Sequence, residues 1–224
     1  MFKLFDSRNS YLLINEPDAN VHVTKVLPMT NAHLDNLLIL PKYLSDKELQ
    51  PYEETIAQLR TQTFSDGVGQ FCLGARNYKY IAHAPGRYDV WDIGTPIKMP
   101  EVIAPYKVSC KSVGALLLNA QTLTDGKWHK DAVELFDGNP NNKSLPPFYF
   151  NLLIALEEQT ATNGPTQFWD ERTPDTAYWV PLRRGDAVLF DGNLLHRGTA
   201  NNTLFARDLI YATFTTDWYN EEQL

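Results

Sequence analysis

The sequence predicts a mainly β fold, a sandwich or jelly roll with flanking helices. Two observations carry this. From about residue 113, short apolar runs recur: Val113-Gly-Ala-Leu-Leu-Leu, Phe148-Tyr-Phe-Asn-Leu-Leu-Ile-Ala-Leu, Ala177-Tyr-Trp-Val, Ala187-Val-Leu-Phe and Leu209-Ile-Tyr-Ala-Thr-Phe-Thr. Turn-forming clusters divide them, namely Asn163-Gly-Pro, Arg184-Gly-Asp and Asp191-Gly-Asn. Short strands spaced by such turns are the pattern of sandwiches and jelly rolls.

The N-terminal half reads differently. Leu37-Leu-Ile-Leu is a short strand. Ser45-Asp-Lys-Glu48 then forms a capping box, because a serine can cap while a glutamate three residues on reaches back. Leu49, Tyr52, Ile56 and Leu59 follow at helical spacing, which predicts an amphipathic helix over 46–62. A second helix is expected to open near Pro100 and run through Val102, Ile103, Tyr106 and Val108, with Pro105 inside it. Asp137–Pro147 reads as a long loop. The expected organisation is one domain over 1–224: a mostly helical flank with N-terminal strands over 1–112, then a jelly-roll core over 113–219.

Composition removes several function classes. The chain has 224 residues, 20 basic and 27 acidic side chains and a net charge of −7. That balance lacks the basic face of a nucleic-acid groove. No apolar run approaches the roughly 18 residues of a membrane span. Met1–Arg8 carries charges where a secretory leader needs an apolar stretch, so a cytoplasmic location is expected. Two cysteines, Cys72 and Cys110, exclude a disulfide framework and disfavour a cysteine-based zinc site. Any metal site must draw on carboxylates and on His22, His33, His83, His129 and His196.

Three features carry chemistry. In Trp128-His129-Lys130-Asp131, positions i and i+2 of an extended segment point to one side, so His129 and Asp131 can share a cation. Imidazole plus carboxylate suits iron, manganese or zinc. His196 lies 65 residues beyond Asp131, after an apolar strand and a turn. Arg207 follows 11 residues later, at the start of the strand Leu209–Phe214. An arginine facing a β core needs an anion, since an unpaired buried charge is costly. Each feature has a plainer reading: a surface turn, a structural histidine, an edge arginine paired with Asp208. Together, two histidines and a carboxylate match the facial triad of non-haem Fe(II) oxygenases.

With these motifs the sequence resembles the phytanoyl-CoA dioxygenase family of Fe(II)/2-oxoglutarate-dependent oxygenases. The resemblance covers roughly residues 36–219. It rests on Leu37–Leu59, on Asn151–Phe168 with its Asn-Gly turn, on Gly185–Asn202 around His196, and on the closing Asp217-Trp-Tyr. It implies a double-stranded β-helix of the cupin-like, jelly-roll type. It implies Fe(II) held by His129, Asp131 and His196, with 2-oxoglutarate as cosubstrate and O2 as oxidant. It implies Arg207 on the far carboxylate of 2-oxoglutarate. Asn119 and Asn151 are further candidates for hydrogen bonds to the cosubstrate, with Gln121 and Thr166 weaker. In halogenating relatives a small residue replaces the carboxylate, so Asp131 favours hydroxylation, desaturation or ring closure. Where the family commonly continues from the Asn-Gly turn into Pro-Gly-Ser-His, this chain has Trp169-Asp-Glu-Arg-Thr-Pro-Asp.

The function expected is hydroxylation of an unactivated C–H bond of a small molecule, with release of succinate and carbon dioxide. Arg87, in Ala82-His-Ala-Pro-Gly-Arg-Tyr-Asp89, and Trp169 are the candidate substrate contacts, and Trp91, Trp128 and Phe168 could line an apolar pocket. A surface pair of Arg87 with Asp89 or Asp92 is the plainer alternative. His22, His33 and His83 are expected to stand apart from the site. Neither nucleic acid nor membrane is an expected partner, and the sequence does not fix the oligomeric state. The competing functions are a metal-binding or sensory jelly roll without turnover, and an oxygenase acting on a protein side chain.

Overall fold

A computed structural model describes residues 23–26, 36–132, 146–169 and 176–219. Their strands, in chain order, are β1 Val23–Val26, β2 Leu37–Leu40, β3 Gly67–Leu73, β4 Arg76–Ala84, β5 Arg87–Trp91, β6 Val108–Leu118, β7 Tyr149–Ala155, β8 Thr166–Trp169, β9 Thr176–Trp179, β10 Ala187–Asp191, β11 His196–Gly198 and β12 Arg207–Thr216. Eight strands form one sheet in the order β2-β10-β7-β12-β6-β5-β4-β3, and four form another in the order β1-β9-β8-β11. Every pairing is antiparallel except β1 with β9. The mainly β jelly roll expected from the sequence is the fold observed.

Strand alternation sorts the large sheet's side chains onto two faces. On one face Phe150, Leu152, Ile154, Leu189, Ile210, Ala212 and Phe214 pack with Leu49, Tyr52, Ile56 and Leu59 of the helix α1, Asp46–Leu59. On the other face Leu153, Val188, Phe190, Leu209 and Tyr211 meet Phe168 of the small sheet. The Phe168 and Phe190 rings stand edge to face, 5.1 Å apart. Because β7, β10 and β12 are covered on both sides, every one of their residues is buried. Their near-continuous apolar runs follow from that double coverage.

Helix α1 forms as its sequence dictates. The Glu48 carboxylate accepts from the Ser45 backbone N–H at 2.8 Å, and the apolar stripe turns inward. At its end Arg60 donates to Asp208 and to the Leu118 carbonyl, tying the helix to β12 and β6.

Two expectations need correction. The second helix is only a six-residue 3-10 segment, Glu101–Tyr106. Pro105 has no N–H to give an α-helical ladder, Lys107 turns left-handed at φ 53°, and Val108 already belongs to β6. The flank is also not mostly helical. Residues 67–91 form a three-stranded meander, β3–β5, that extends the large sheet. Gly74-Ala75 and Pro85-Gly86 make its turns, and Tyr78 and Tyr80 point inward at period two. Of the expected 137–147 loop, residues 137–145 lie outside the described residues, as do 170–175, His22 and His33.

Candidate active site

His129 lies in the segment between β6 and β7, and His196 opens β11. Their backbones pair directly: the His129 N–H donates to the His196 carbonyl at 3.0 Å, and the His196 N–H donates back at 3.0 Å. This reciprocal bridge brings two ligand-type side chains together from distant positions in the chain. Asp131 is held nearby, its N–H donating to the Gly192 carbonyl at 2.9 Å. The Asp131 carboxylate stands 3.5 Å from His129 Nε2 and 3.3 Å from His196 Nε2. The three ligand atoms all lie within 4.8 Å of one another.

This donor set fits a cation. Two ligand atoms each about 2.1 Å from one ion, at a right angle, are about 3.0 Å apart, close to the observed spacing. Both rings present the same nitrogen. His129 Nδ1 is 2.9 Å from the Lys127 carbonyl and His196 Nδ1 is 2.9 Å from the Leu194 carbonyl. A carbonyl can only accept, so each Nδ1 carries the proton and each Nε2 lone pair faces Asp131.

The three groups are electrostatically coupled. Burial alone would raise Asp131, but the two histidines and Asn151 outweigh it and hold its carboxyl below the usual range. Burial would lower His196, but Asp131 and the Leu194 carbonyl outweigh it and push the ring up. His129 is pulled down, first by burial and then by His196.

Among the described residues, the triad opens onto a cavity of about 1460 Å³. That exceeds a typical small-ligand pocket and leaves room for more than one small molecule. Arg207, only 3% exposed, lines it. Its guanidinium donates to the carbonyls of Asn163 and Gly164, and it forms no ion pair among the described residues. Burial, and then Arg87, pull its pKa down to about 10, against the carboxylates of Asp208 and Glu157, which favour its charge.

The remaining candidates divide. Asn151 lines the cavity with its side chain engaged on both ends: its amide donates to Asp131 at 2.7 Å and its oxygen accepts from Thr213 at 3.1 Å. It positions the carboxylate. Asn119 is turned away, its side-chain oxygen taken by Arg60. Gln121 is exposed outside the cavity, while Thr166 lines it. Trp169, Phe168 and Trp128 do not line it; Phe168 is buried between the sheets, and Trp128 carries the Arg197 guanidinium 4.6 Å above its ring. Trp91 does line it.

Arg87 lines the cavity and pairs with neither Asp89 nor Asp92. It donates to the carbonyls of Thr124 at 3.1 Å and Thr199 at 2.8 Å. Gly198 permits this, because a Cβ there would stand 2.1 Å from its Nη1. His83, expected to stand apart, is also on the cavity wall. Asp89 and Tyr211 were not among the sequence candidates and both line the cavity. Their signal was the alternation itself: Arg87 and Asp89, and Arg207 and Tyr211, are even-numbered steps along one strand face.

With this geometry in place, comparison with known proteins is informative. The sequence profile of the phytanoyl-CoA dioxygenase (PhyH) family matches residues 114–209. Dioxygenase cdmA of Talaromyces verruculosus is 40% identical over 68 residues, 26% of this chain and 23% of its own length. The Fe(II)/2-oxoglutarate-dependent dioxygenase nvfF of Aspergillus novofumigatus is 30% identical over 101 residues, 40% of this chain and 33% of its own. The chain thus spans about a quarter to a third of the length of these curated relatives in the matched stretches. The crystal structure of AviO1 from Streptomyces viridochromogenes Tue57 superposes with a TM-score of 0.57 at 17% identity, covering 83% of this chain and 91% of that one, which shows a shared fold. Over residues 114–209, the stretch that holds the His129, Asp131 and His196 cluster and Arg207, the chain is similar to the phytanoyl-CoA dioxygenase family.

Proposed function

We propose that the protein is an Fe(II)- and 2-oxoglutarate-dependent dioxygenase that hydroxylates an unactivated C–H bond of a small molecule. The carrying observation is one cavity that holds both the His129, Asp131 and His196 cluster and a buried arginine, Arg207, that forms no ion pair among the described residues. The triad would hold Fe(II) through two imidazoles and one carboxylate, leaving coordination positions open. When bound, the iron supplies the oxidation of a C–H bond by O2, coupled to conversion of 2-oxoglutarate to succinate and carbon dioxide.

The chain's own residues do the rest. Arg207 binds the far carboxylate of 2-oxoglutarate, where a planar guanidinium suits paired hydrogen bonds. Thr166 lines the cavity as a second polar contact. Asn151 keeps the Asp131 carboxylate turned toward the histidines. Trp91, Leu116, Leu153 and Phe190 give the cavity apolar walls that exclude water from the reacting carbon. Arg87 is placed to receive an anionic group of the substrate. Among the described residues no helix is long and apolar enough to cross a membrane.

The test is anaerobic addition of Fe(II) and 2-oxoglutarate, read as a weak visible charge-transfer band. The band appears in the wild type and is lost in Asp131→Ala, together with succinate formation in air. Zinc retained without any band, or unchanged succinate formation in Asp131→Ala, overturns the reading.

A further inference from the structure

Three buried polar atoms on the cavity wall have no hydrogen-bond partner among the described residues: Oδ1 of Asp89, the hydroxyl of Tyr211 and Nε of Arg87. An unpaired buried polar atom costs about 1–3 kcal/mol, and native structures keep few of them. Several facing one cavity mark the place where a ligand supplies the missing partner.

The sheet brings Asp89 and Tyr211 together across β6. Asp89 sits opposite Leu116, and Tyr211 opposite Gly114. A Cβ on Gly114 would stand 2.2 Å from the Tyr211 ring. The glycine therefore lets the ring lie across β6 and carry its hydroxyl toward β5. The two groups sense each other: burial first, and Asp89 next, raise the Tyr211 hydroxyl far above its usual range. Burial pushes the Asp89 carboxyl up to about 7, against Tyr211 and Trp91, which favour its charge. The two side chains thus face each other closely enough to interact, but among the described residues neither Asp89 Oδ1 nor the Tyr211 hydroxyl has a hydrogen bond of full distance and angle.

We propose that Asp89 and Tyr211 form a substrate anchor that takes a hydroxyl group, which donates to Asp89 and accepts from Tyr211. The chemistry selects this class. A hydroxyl offers one donor and acceptor lone pairs, so one group satisfies both atoms. A carbonyl would leave Asp89 unpaired, and a carboxylate would set like charges together. An ammonium can donate to Asp89 but has no lone pair to accept from the Tyr211 hydroxyl. The substrate is therefore an alcohol, held by its hydroxyl while another carbon is oxidised. Gly114 is a positioning residue for Tyr211.

This anchor rests on the oxygenase reading, and the experiment separates the two. The wild-type enzyme with Fe(II) and 2-oxoglutarate is first read for the charge-transfer band under anaerobic conditions. Its absence overturns the oxygenase reading and the anchor with it. Succinate release is then measured with matched probes: cyclohexanol against cyclohexane, 1-indanol against indane, 1-adamantanol against adamantane. The expected result is about tenfold or greater succinate release with at least one alcohol over its parent hydrocarbon. Tyr211→Phe and Asp89→Leu abolish that ratio, Gly114→Ala reduces it, and Asp89→Asn, which keeps an acceptor oxygen, retains part of it. A purely structural role would lower all rates and leave the ratio unchanged, which overturns the anchor. With the band present, the absence of an alcohol preference in every pair, whether both members or neither is effective, also overturns it. If Asp89→Leu fails to fold, the near-isosteric Tyr211→Phe carries the same readout.

Discussion

The cavity has two walls of unlike construction. The strands β7, β10 and β12 are buried along their whole length, whereas β3 and β4 in the meander alternate buried or half-buried residues with exposed ones. The first wall carries Asn151 and Arg207 and leads into the His196 segment; the second carries Arg87 and Asp89 on β5. The family profile covers residues 114–209 and stops short of the meander. The difference shows where each kind of residue is placed. Arg207, proposed to hold the cosubstrate, and Asn151, which bonds Asp131, sit where packing on both faces fixes the backbone. Of the groups proposed to meet the substrate, Arg87 and Asp89 sit on β5, in an outer part of the sheet, whereas Tyr211 sits on the buried strand β12 and reaches across β6 toward them.

Three substitutions test whether the two walls are as separate as this. The largest effect is expected at Arg207→Leu. Losing a charged, paired contact of about 3 kcal/mol raises the KM for 2-oxoglutarate about 100-fold, measured by succinate formation against cosubstrate concentration. An unchanged KM would move the cosubstrate elsewhere, toward Arg87. Next, Asn151→Leu removes the hydrogen bond that orients Asp131. Fe(II) affinity should fall about 10- to 100-fold in an anaerobic titration. If instead the KM for 2-oxoglutarate changes at constant iron affinity, Asn151 contacts the cosubstrate. The smallest effect on the site is expected at Tyr78→Ala in the meander. Tyr78 is 4% exposed and stacks on Phe71 with centroids 5.3 Å apart. Its loss should cost about 3 kcal/mol in urea unfolding, yet leave the charge-transfer band of the folded protein intact. Loss of the band would join the two walls into one unit.

Legibility in the sequence follows the same division. The buried strands announced themselves as apolar runs, and the ligand motif could be read because His129 and Asp131 are two residues apart. Helix α1 was legible because its cap and its stripe agree. The meander was not, since strands with one exposed face dilute the apolar signal. The roles of Asn119 and Asn151 could not be read either. Both are amides in apolar runs, and only the three-dimensional register shows that one meets Arg60 and the other Asp131. Asp89 escaped for a related reason: beside Arg87 in sequence it suggests an ion pair, while in the sheet Arg87 turns to the carbonyls of Thr124 and Thr199.

The backbone bridge between His129 and His196 has a consequence for the order of assembly. Two reciprocal peptide hydrogen bonds fasten both imidazoles at a set separation through the main chain alone, and carbonyls fix their tautomers. Main-chain bonds would therefore set the spacing of the two rings, unlike small zinc modules in which the ion itself organises the ligands. The ion would add stability only by mass action, in proportion to its concentration over its dissociation constant.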